Sequence, residues 1–434
     1  MPLVFVHGVN TRRGDSPSEQ KVFDAHLNYI KQHFRDVGFQ KRISAPEGLA
    51  VFTPYWGDLG VKFARGLKCI PKSGVESLSA SASAESVALI GSSASILDAQ
   101  TFLTEGVDGS PILTLAKMQS MESAIDLLFA ASTNAPINPL ALDDTRLLEA
   151  QSQSALLALD IDRYVAQNSK PNWLFEVTND EAFVSRFLDE VVKFSSVKEH
   201  KGQSIGVETL GFGSALKSWL TVGAMAAKNV VSGLRNSVVD IRTQTVRDGY
   251  SYLSTMLRRP ASMQLGRFVG DVFAYMQNPR PIVERVLSDI EAALHAKRNG
   301  DNELYFVGHS FGGIILYDIL STYSADIQCD LYITVGSQVG LFAEIGRLSN
   351  QASIDAAFSI SASSLALRPK AAKRWLNIFD PTDLVGFATS EVFSGTTDYS
   401  FNTNALPILS HGAYFDSPRF YARLSERVQD ALTT

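Results

Sequence analysis

The stretch Glu303-Leu-Tyr-Phe-Val307, Gly308-His309-Ser310-Phe311-Gly312-Gly313, Ile314-Ile-Leu-Tyr-Asp-Ile-Leu320 decides the fold. Its first five residues end in an apolar, aromatic run that suits a strand buried on both faces of a parallel sheet. Its last seven form an apolar helix. A single serine stands on the turn between them. Gly308 and Gly312 leave the room that such a tight strand-to-helix turn needs, because side chains there would meet backbone. Upstream, Ile282, Val286, Ile290 and Leu294 recur at i+4 on a helix with Pro281 in its first turn. Downstream, Asp330–Val335 and Arg374–Phe379 read as strands and Arg419–Leu432 as a closing helix. Alternating strands and helices imply a mainly parallel sheet covered by helices on both faces.

The same alternation opens the chain. Pro2–Val6 reads as a strand, residues from about Ser18 to Phe34 as a helix carrying Val22, Phe23, His26, Leu27, Ile30 and Phe34, and Leu49–Thr53 as a second strand. Between Gly57 and Asn278 the strand signals fade and helices follow one another. Thr178 and Glu181 form a capping box ahead of Phe183, Val184, Phe187, Leu188 and Val191, and Asp144 can cap the run beginning Leu147-Leu148. The expected organisation is therefore an α/β core from residues 1–56 and 279–434, with a mostly helical insertion at 57–278.

The 434 residues are 45% hydrophobic and only 19% charged, which excludes a disordered chain. The best candidate for a spanning helix, Trp219–Leu234, is interrupted by Lys228 and Asn229. A net charge of -6 argues against nucleic acid as a partner. Cys69 and Cys329 stand far apart without a CxxC pair or clustered histidines, which disfavours a disulfide framework or a zinc site. Met1–His7 lacks the basic start of a signal sequence, so the expected location is cytoplasmic. The charge deficit is deepest in Gly74–Leu142, where most charges are acidic, whereas Lys201–Gly270 is mainly basic. The plain reading is packed helices; the sharper one is an apolar cap whose basic part meets an anionic substrate or a lipid surface.

A serine hydroxyl needs a base within reach and a carboxylate to orient that base. His411 is the only histidine after Ser310, in Leu409-Ser-His-Gly-Ala-Tyr-Phe415, which reads as a loop. Two carboxylates follow the strand at Trp375–Phe379. Asp383 sits further along the loop and is favoured; Asp380 precedes Pro381 and is the alternative. An oxyanion would need two N–H donors. The backbones of Phe311, at its helix N-terminus, and Val9, in the loop His7-Gly8-Val9-Asn10, are the candidates. Gly8 and His309 are expected beside the substrate. His7 is expected to shape its loop, and Arg12 and Arg13 are either solvated or met by an anionic substrate group. Tyr55, Trp56 and Asp58 follow the second strand, at the sheet edge where open parallel sheets bind ligands.

The Phe5-Val-His-Gly8 loop, Gly308-His-Ser-Phe-Gly-Gly313, the late aspartate and the late histidine together resemble the α/β-hydrolase superfamily, in particular its lipase and serine-esterase branches, including the GPI inositol-deacylase-like group. The resemblance covers residues 1–56 and 279–434. It implies an α/β-hydrolase fold, trimmed at one sheet edge because the family has two further strands before the one at Pro2. It also implies a Ser310-His411-Asp383 triad that cleaves an ester through an acyl-enzyme, without metal or organic cofactor. A large low-charge insertion where a lid would sit favours a lipid or acyl-chain substrate. The same triad also serves thioesterases, amidases and acyltransferases. From another class, the insertion could be a membrane- or partner-binding module on a hydrolase-like scaffold.

Overall fold

The computed structural model describes residues 1–14, 16–40, 48–69, 110–118, 120–134, 144–199, 214–241, 265–298, 303–360, 364–403, 405 and 407–433. Most of the charge-poor segment 74–142 and much of the basic stretch 201–270 lie outside the described residues.

Six parallel strands build the central sheet: β1 (Pro2–Val6), β2 (Ala50–Phe52), β3 (Tyr305–His309), β4 (Leu331–Val335), β6 (Trp375–Phe379) and β8 (Thr396–Ser400), in the order β2-β1-β3-β4-β6-β8. A separate parallel pair joins β5 (Ala366–Leu367) to β7 (Phe393–Ser394). The protein is thus α/β with a parallel sheet flanked by helices, and every strand that the sequence predicts in the first and last blocks enters the six-stranded sheet. Register brings Val6 beside Gly308, His309 beside Val335 and Val335 beside Ile378, so the C-terminal ends of β1, β3, β4 and β6 open at one edge.

Period-2 alternation sends side chains to two cores. Leu3, Phe5, Tyr305, Val307, Ile333 and Ile378 face one side; Val4, Val6, Phe306, Tyr332 and Trp375 face the other. The second side is closed by the helices Arg280–Arg298 and Phe311–Asp318.

The first side receives five helices of the insertion. Its helices Pro111–Met118, Met121–Asn134, Asp144–Gln167, Asp180–Glu199 and Ser214–Ile241 share one buried cluster with the helices Pro17–His33 and Pro418–Thr433. Trp219 meets Tyr29 with ring centroids 5.7 Å apart, and Gln151 donates to the Ala25 carbonyl at 2.9 Å. Buried Arg419, in the closing helix, donates to Asp162 at 2.8 Å and also pairs with Glu122 and Asp126. These described helices therefore extend one face of the sheet as an added layer.

Local expectations differ from the structure in three places. The cap ahead of Phe183 is Asn179, not Thr178: its Oδ1 accepts the Ala182 N–H at 2.9 Å, and the helix begins at Asp180. Asp180 instead accepts the Leu113 N–H of the neighbouring insertion helix at 2.8 Å. His411 lies in a short helix, Pro407–Ala413, where the sequence reads as a loop; a proline at the helix start suits the first turn. Strand β8 has no counterpart in the sequence reading, because Thr-Thr-Asp-Tyr-Ser is polar and only partly buried at the sheet edge.

An acid-sensitive group lies where the core helix Pro17–His33 meets the added layer. His33 is fully buried, bonded through Nδ1 to the Tyr29 carbonyl and through Nε2 to the Ser154 hydroxyl, and burial lowers its pKa to about 4. The unfolded chain protonates this imidazole near pH 6.5 while the native protein holds it neutral to about pH 4. The stability it contributes is therefore present above about pH 6.5 and is lost as pH falls towards 4, by up to about 3 kcal/mol. Urea-unfolding midpoints are expected to fall between pH 7 and pH 4.5, and a His33→Gln protein, less stable at pH 7, should lose less over the same window. A midpoint independent of pH there would refute the assignment.

Candidate active site

The turn after β3 carries the site. Ser310 has φ 54° and ψ -126°, a conformation that L residues rarely adopt. Its N–H donates to the Val335 carbonyl at 2.9 Å, and its carbonyl accepts the Gly313 N–H at 3.0 Å and the Ser337 hydroxyl at 2.8 Å. Close packing explains the glycines: a Cβ on Gly308 would lie 2.5 Å from the Gly313 Cα, and one on Gly312 would lie 2.2 Å from the Val6 carbonyl oxygen. The helix Phe311–Asp318 starts immediately, so its positive end faces the serine.

His411 reaches this turn from its short helix. Its Nε2 is 2.8 Å from the Ser310 Oγ and its Nδ1 is 2.9 Å from the Asp383 Oδ2. An ionised carboxylate only accepts, so Nδ1–H donates to Asp383, which leaves Nε2 to accept the serine proton. Asp383 also accepts the Tyr414 hydroxyl at 2.8 Å and the Val385 N–H at 3.0 Å. Burial opposes its charge, but the hydrogen bond and positive field of His411, with the other two donors, outweigh it and hold the carboxyl below its ordinary range.

Asp380, the alternative acid, has other partners. One oxygen accepts the Thr382 N–H and hydroxyl at 2.7 and 2.8 Å; the other accepts the Thr403 N–H and hydroxyl at 2.7 and 2.6 Å. It pins the loop ends together. Tyr414 links the two acids, since its hydroxyl accepts the Asp380 N–H at 2.7 Å while donating to Asp383.

The loop after β1 closes the other side of the serine. A Cβ on Gly8 would come within 2.5 Å of the Ser310 Cβ, so only glycine lets this backbone approach so closely. Val9 follows directly. Among the described residues the Val9 and Phe311 N–H groups donate to no protein acceptor, as two oxyanion donors must not.

His7 shapes this loop. Its Nδ1–H donates to the Gly8 carbonyl at 2.8 Å, its Nε2 accepts the Trp56 N–H at 3.2 Å, and burial lowers its pKa to about 4. Trp56 is fully buried, stacks on His7 at 5.1 Å and donates its indole N–H to the His7 carbonyl at 2.9 Å. The Tyr55 hydroxyl accepts the Arg13 N–H at 3.0 Å, and exposed Asp58 pairs with Arg285 at 3.3 Å. The structure thus makes Tyr55 and Trp56 the backing of the loop after β1, where the sequence suggests that they line the mouth. His309 stacks on His411 at 5.1 Å and donates Nε2–H to the His411 carbonyl at 2.9 Å; burial, reinforced by His411, lowers its pKa to about 3.

One residue escaped the sequence reading. Asp271, fully buried on the helical stretch 265–277 of the insertion, accepts the Asn10 N–H at 2.8 Å, the Val61 N–H at 2.7 Å and both ends of the Arg12 guanidinium at 3.1 and 2.6 Å. Arg12 is therefore committed, and Arg13 pairs with Asp24 at 2.9 Å. No sequence signal marks Asp271, which lies 261 positions from Asn10 within a helical pattern.

No family model matches the chain, and no match emerges among curated proteins or solved structures. Among the described residues no group of three or more His, Cys, Asp or Glu is arranged to hold a metal ion, and no helix is long and apolar enough to cross a membrane.

The two acids should separate cleanly. Asp383→Asn replaces the charged acceptor that orients His411 with a neutral amide, and the low-field proton resonance expected of its Nδ1–H should disappear in that protein. Asp380→Asn should keep the resonance and lower the unfolding temperature instead. The reverse pattern would exchange the two roles.

Proposed function

We propose that the protein is a serine hydrolase with an α/β-hydrolase fold that cleaves carboxylic esters. The observation that carries this reading is the unbroken hydrogen-bonded chain Ser310–His411–Asp383, with the serine on a strained strand-to-helix turn. As Ser310 attacks the ester carbonyl, His411 takes its proton and then passes it to the departing alkoxide. The Val9 and Phe311 N–H groups stabilise the oxyanion. Water, deprotonated by His411, then frees the acid and regenerates Ser310. Asp383 remains ionised throughout and orients the imidazole.

His309 and His7, both held neutral by burial, position His411 and the Val9 loop. An ester with an acyl chain is the favoured substrate, because the chain is poor in charge and a large, mostly helical insertion separates β2 from β3. Thioesters and amides would meet the same nucleophile.

Ser310→Ala is expected to abolish hydrolysis of p-nitrophenyl esters and labelling by a fluorophosphonate, with folding intact. Unchanged turnover in that variant would sink the proposal. Asp271→Asn should lower kcat about tenfold or more and leave KM little changed, since loosening the Val9 loop weakens an interaction made in the transition state. Equal loss through KM would instead assign Asp271 to substrate binding.

A further inference from the structure

The helical stretch 265–277 has two faces with different partners. The inner face carries Asp271, bonded to the loop after β1, and Tyr275, whose ring meets Phe311 edge-on at 5.2 Å. Its outer face carries Leu265, Val269, Phe273 and Met276, spaced by four, four and three residues and so aligned in one stripe. Leu265 and Phe273 are 63% and 65% exposed, Val269 and Met276 also exposed. Large apolar side chains gathered on one face, and not scattered singly, mark an interaction surface.

The stripe has a charged border. Residues Gly60–Cys69 run along the flank of this helix: Val61 lies against Gly270, and Phe63 and Leu67 approach Gly266. This segment exposes Lys62, Arg65 and Lys68 and holds no acidic residue, while the one acid of the helix, Asp271, is buried. An apolar helix face edged by cations in a chain of net charge -6 is the arrangement of an element that lies in an anionic lipid interface. A second copy of the chain fits poorly, because a two-fold contact through the stripe would bring two sets of the same cations together.

We infer that helix 265–277 and the segment Gly60–Cys69 dock the protein on an anionic phospholipid surface. The contact sits directly outside the loop that Asp271 holds, so the docked protein would meet a lipid ester next to Ser310. This second step rests on the hydrolase reading; the docking itself does not.

The test is co-sedimentation with vesicles of phosphatidylcholine alone and of phosphatidylcholine with phosphatidylglycerol, at low and high salt. The wild-type protein is expected to bind the anionic vesicles, to bind phosphatidylcholine weakly and to be released by salt. Leu265→Ser with Phe273→Ser, and separately Lys62→Glu with Arg65→Glu, should each weaken binding about tenfold or more, while turnover of a short soluble ester is kept. Ser310→Ala should bind as wild type does. Absence of wild-type binding to anionic vesicles, or unweakened binding by both double variants, overturns the docking. A wild-type dimer in sedimentation that Phe273→Ser dissolves also overturns it, in favour of a second copy. Failure of Ser310 to react with a fluorophosphonate, with vesicle binding intact, overturns only the hydrolase reading.

Discussion

The backbone of Ser310, at φ 54° and ψ -126°, costs about 1–3 kcal/mol and persists only where its surroundings over-determine it. Three hydrogen bonds fix the residue's own peptide groups, with Val335, Gly313 and Ser337, so the neighbouring strand β4, the turn that follows it and the new helix hold the turn. Glycines at 8, 308 and 312 then allow backbone to approach backbone at distances no side chain tolerates. Much else follows from that crowding. The helix must begin at Phe311, its N-terminus must face the serine, and the loop after β1 must pass directly over the hydroxyl.

That loop has to be held as firmly as the turn, and its supports come from opposite directions in the chain. His7 and Trp56 brace it from β1 and β2 through stacking and two hydrogen bonds. Asp271 braces it from the insertion with a carboxylate whose four bonds satisfy it completely enough to tolerate full burial. The insertion is thus part of the site's framework. Its other helices merge with the core beside the closing helix, where the buried guanidinium of Arg419 gathers carboxylates from two of them. Removing one partner from such a buried group leaves charge uncompensated, which ties the added layer to the end of the chain.

How much of this could be read beforehand depended on the range of the determining interaction. Strands β1, β3, β4 and β6 are apolar runs whose signal is local, and the turn at Ser310 is spelled out by two glycines and its neighbours. Strand β8 is stabilised by pairing with β6 along its whole length, so Thr396–Ser400 needs no apolar pattern and shows none. The cap falls on Asn179, one residue beyond Thr178, and the side chain of the next residue, Asp180, is taken up by another helix, a tertiary contact invisible to a capping pattern. Asp271 was illegible for the same reason. An aspartate in a helix is ordinary; only packing against Asn10, Arg12 and Val61 gives it a task. Trp56 read as a mouth residue from its place after β2, yet its stacking on His7 turns it inward.

The pairs of like groups in the site acquire different roles through their neighbours. Asp380 and Asp383 are three residues apart, but four donors from Thr382 and Thr403 saturate the first, while Oδ2 of the second accepts from His411 and Tyr414. His309 and His411 stack at 5.1 Å, and two imidazolium ions at that distance would repel by about 3 kcal/mol at an effective dielectric constant of about 20. Burial removes this conflict: with its pKa lowered to about 3, His309 stays neutral while His411 accepts a proton, and its Nε2–H still bonds the His411 carbonyl. A cation in that position would oppose the protonation on which the proposed mechanism turns. A neutral ring supplies the same packing and the same hydrogen bond without the repulsion, so burial of His309 favours the single charged intermediate that Asp383 is placed to stabilise.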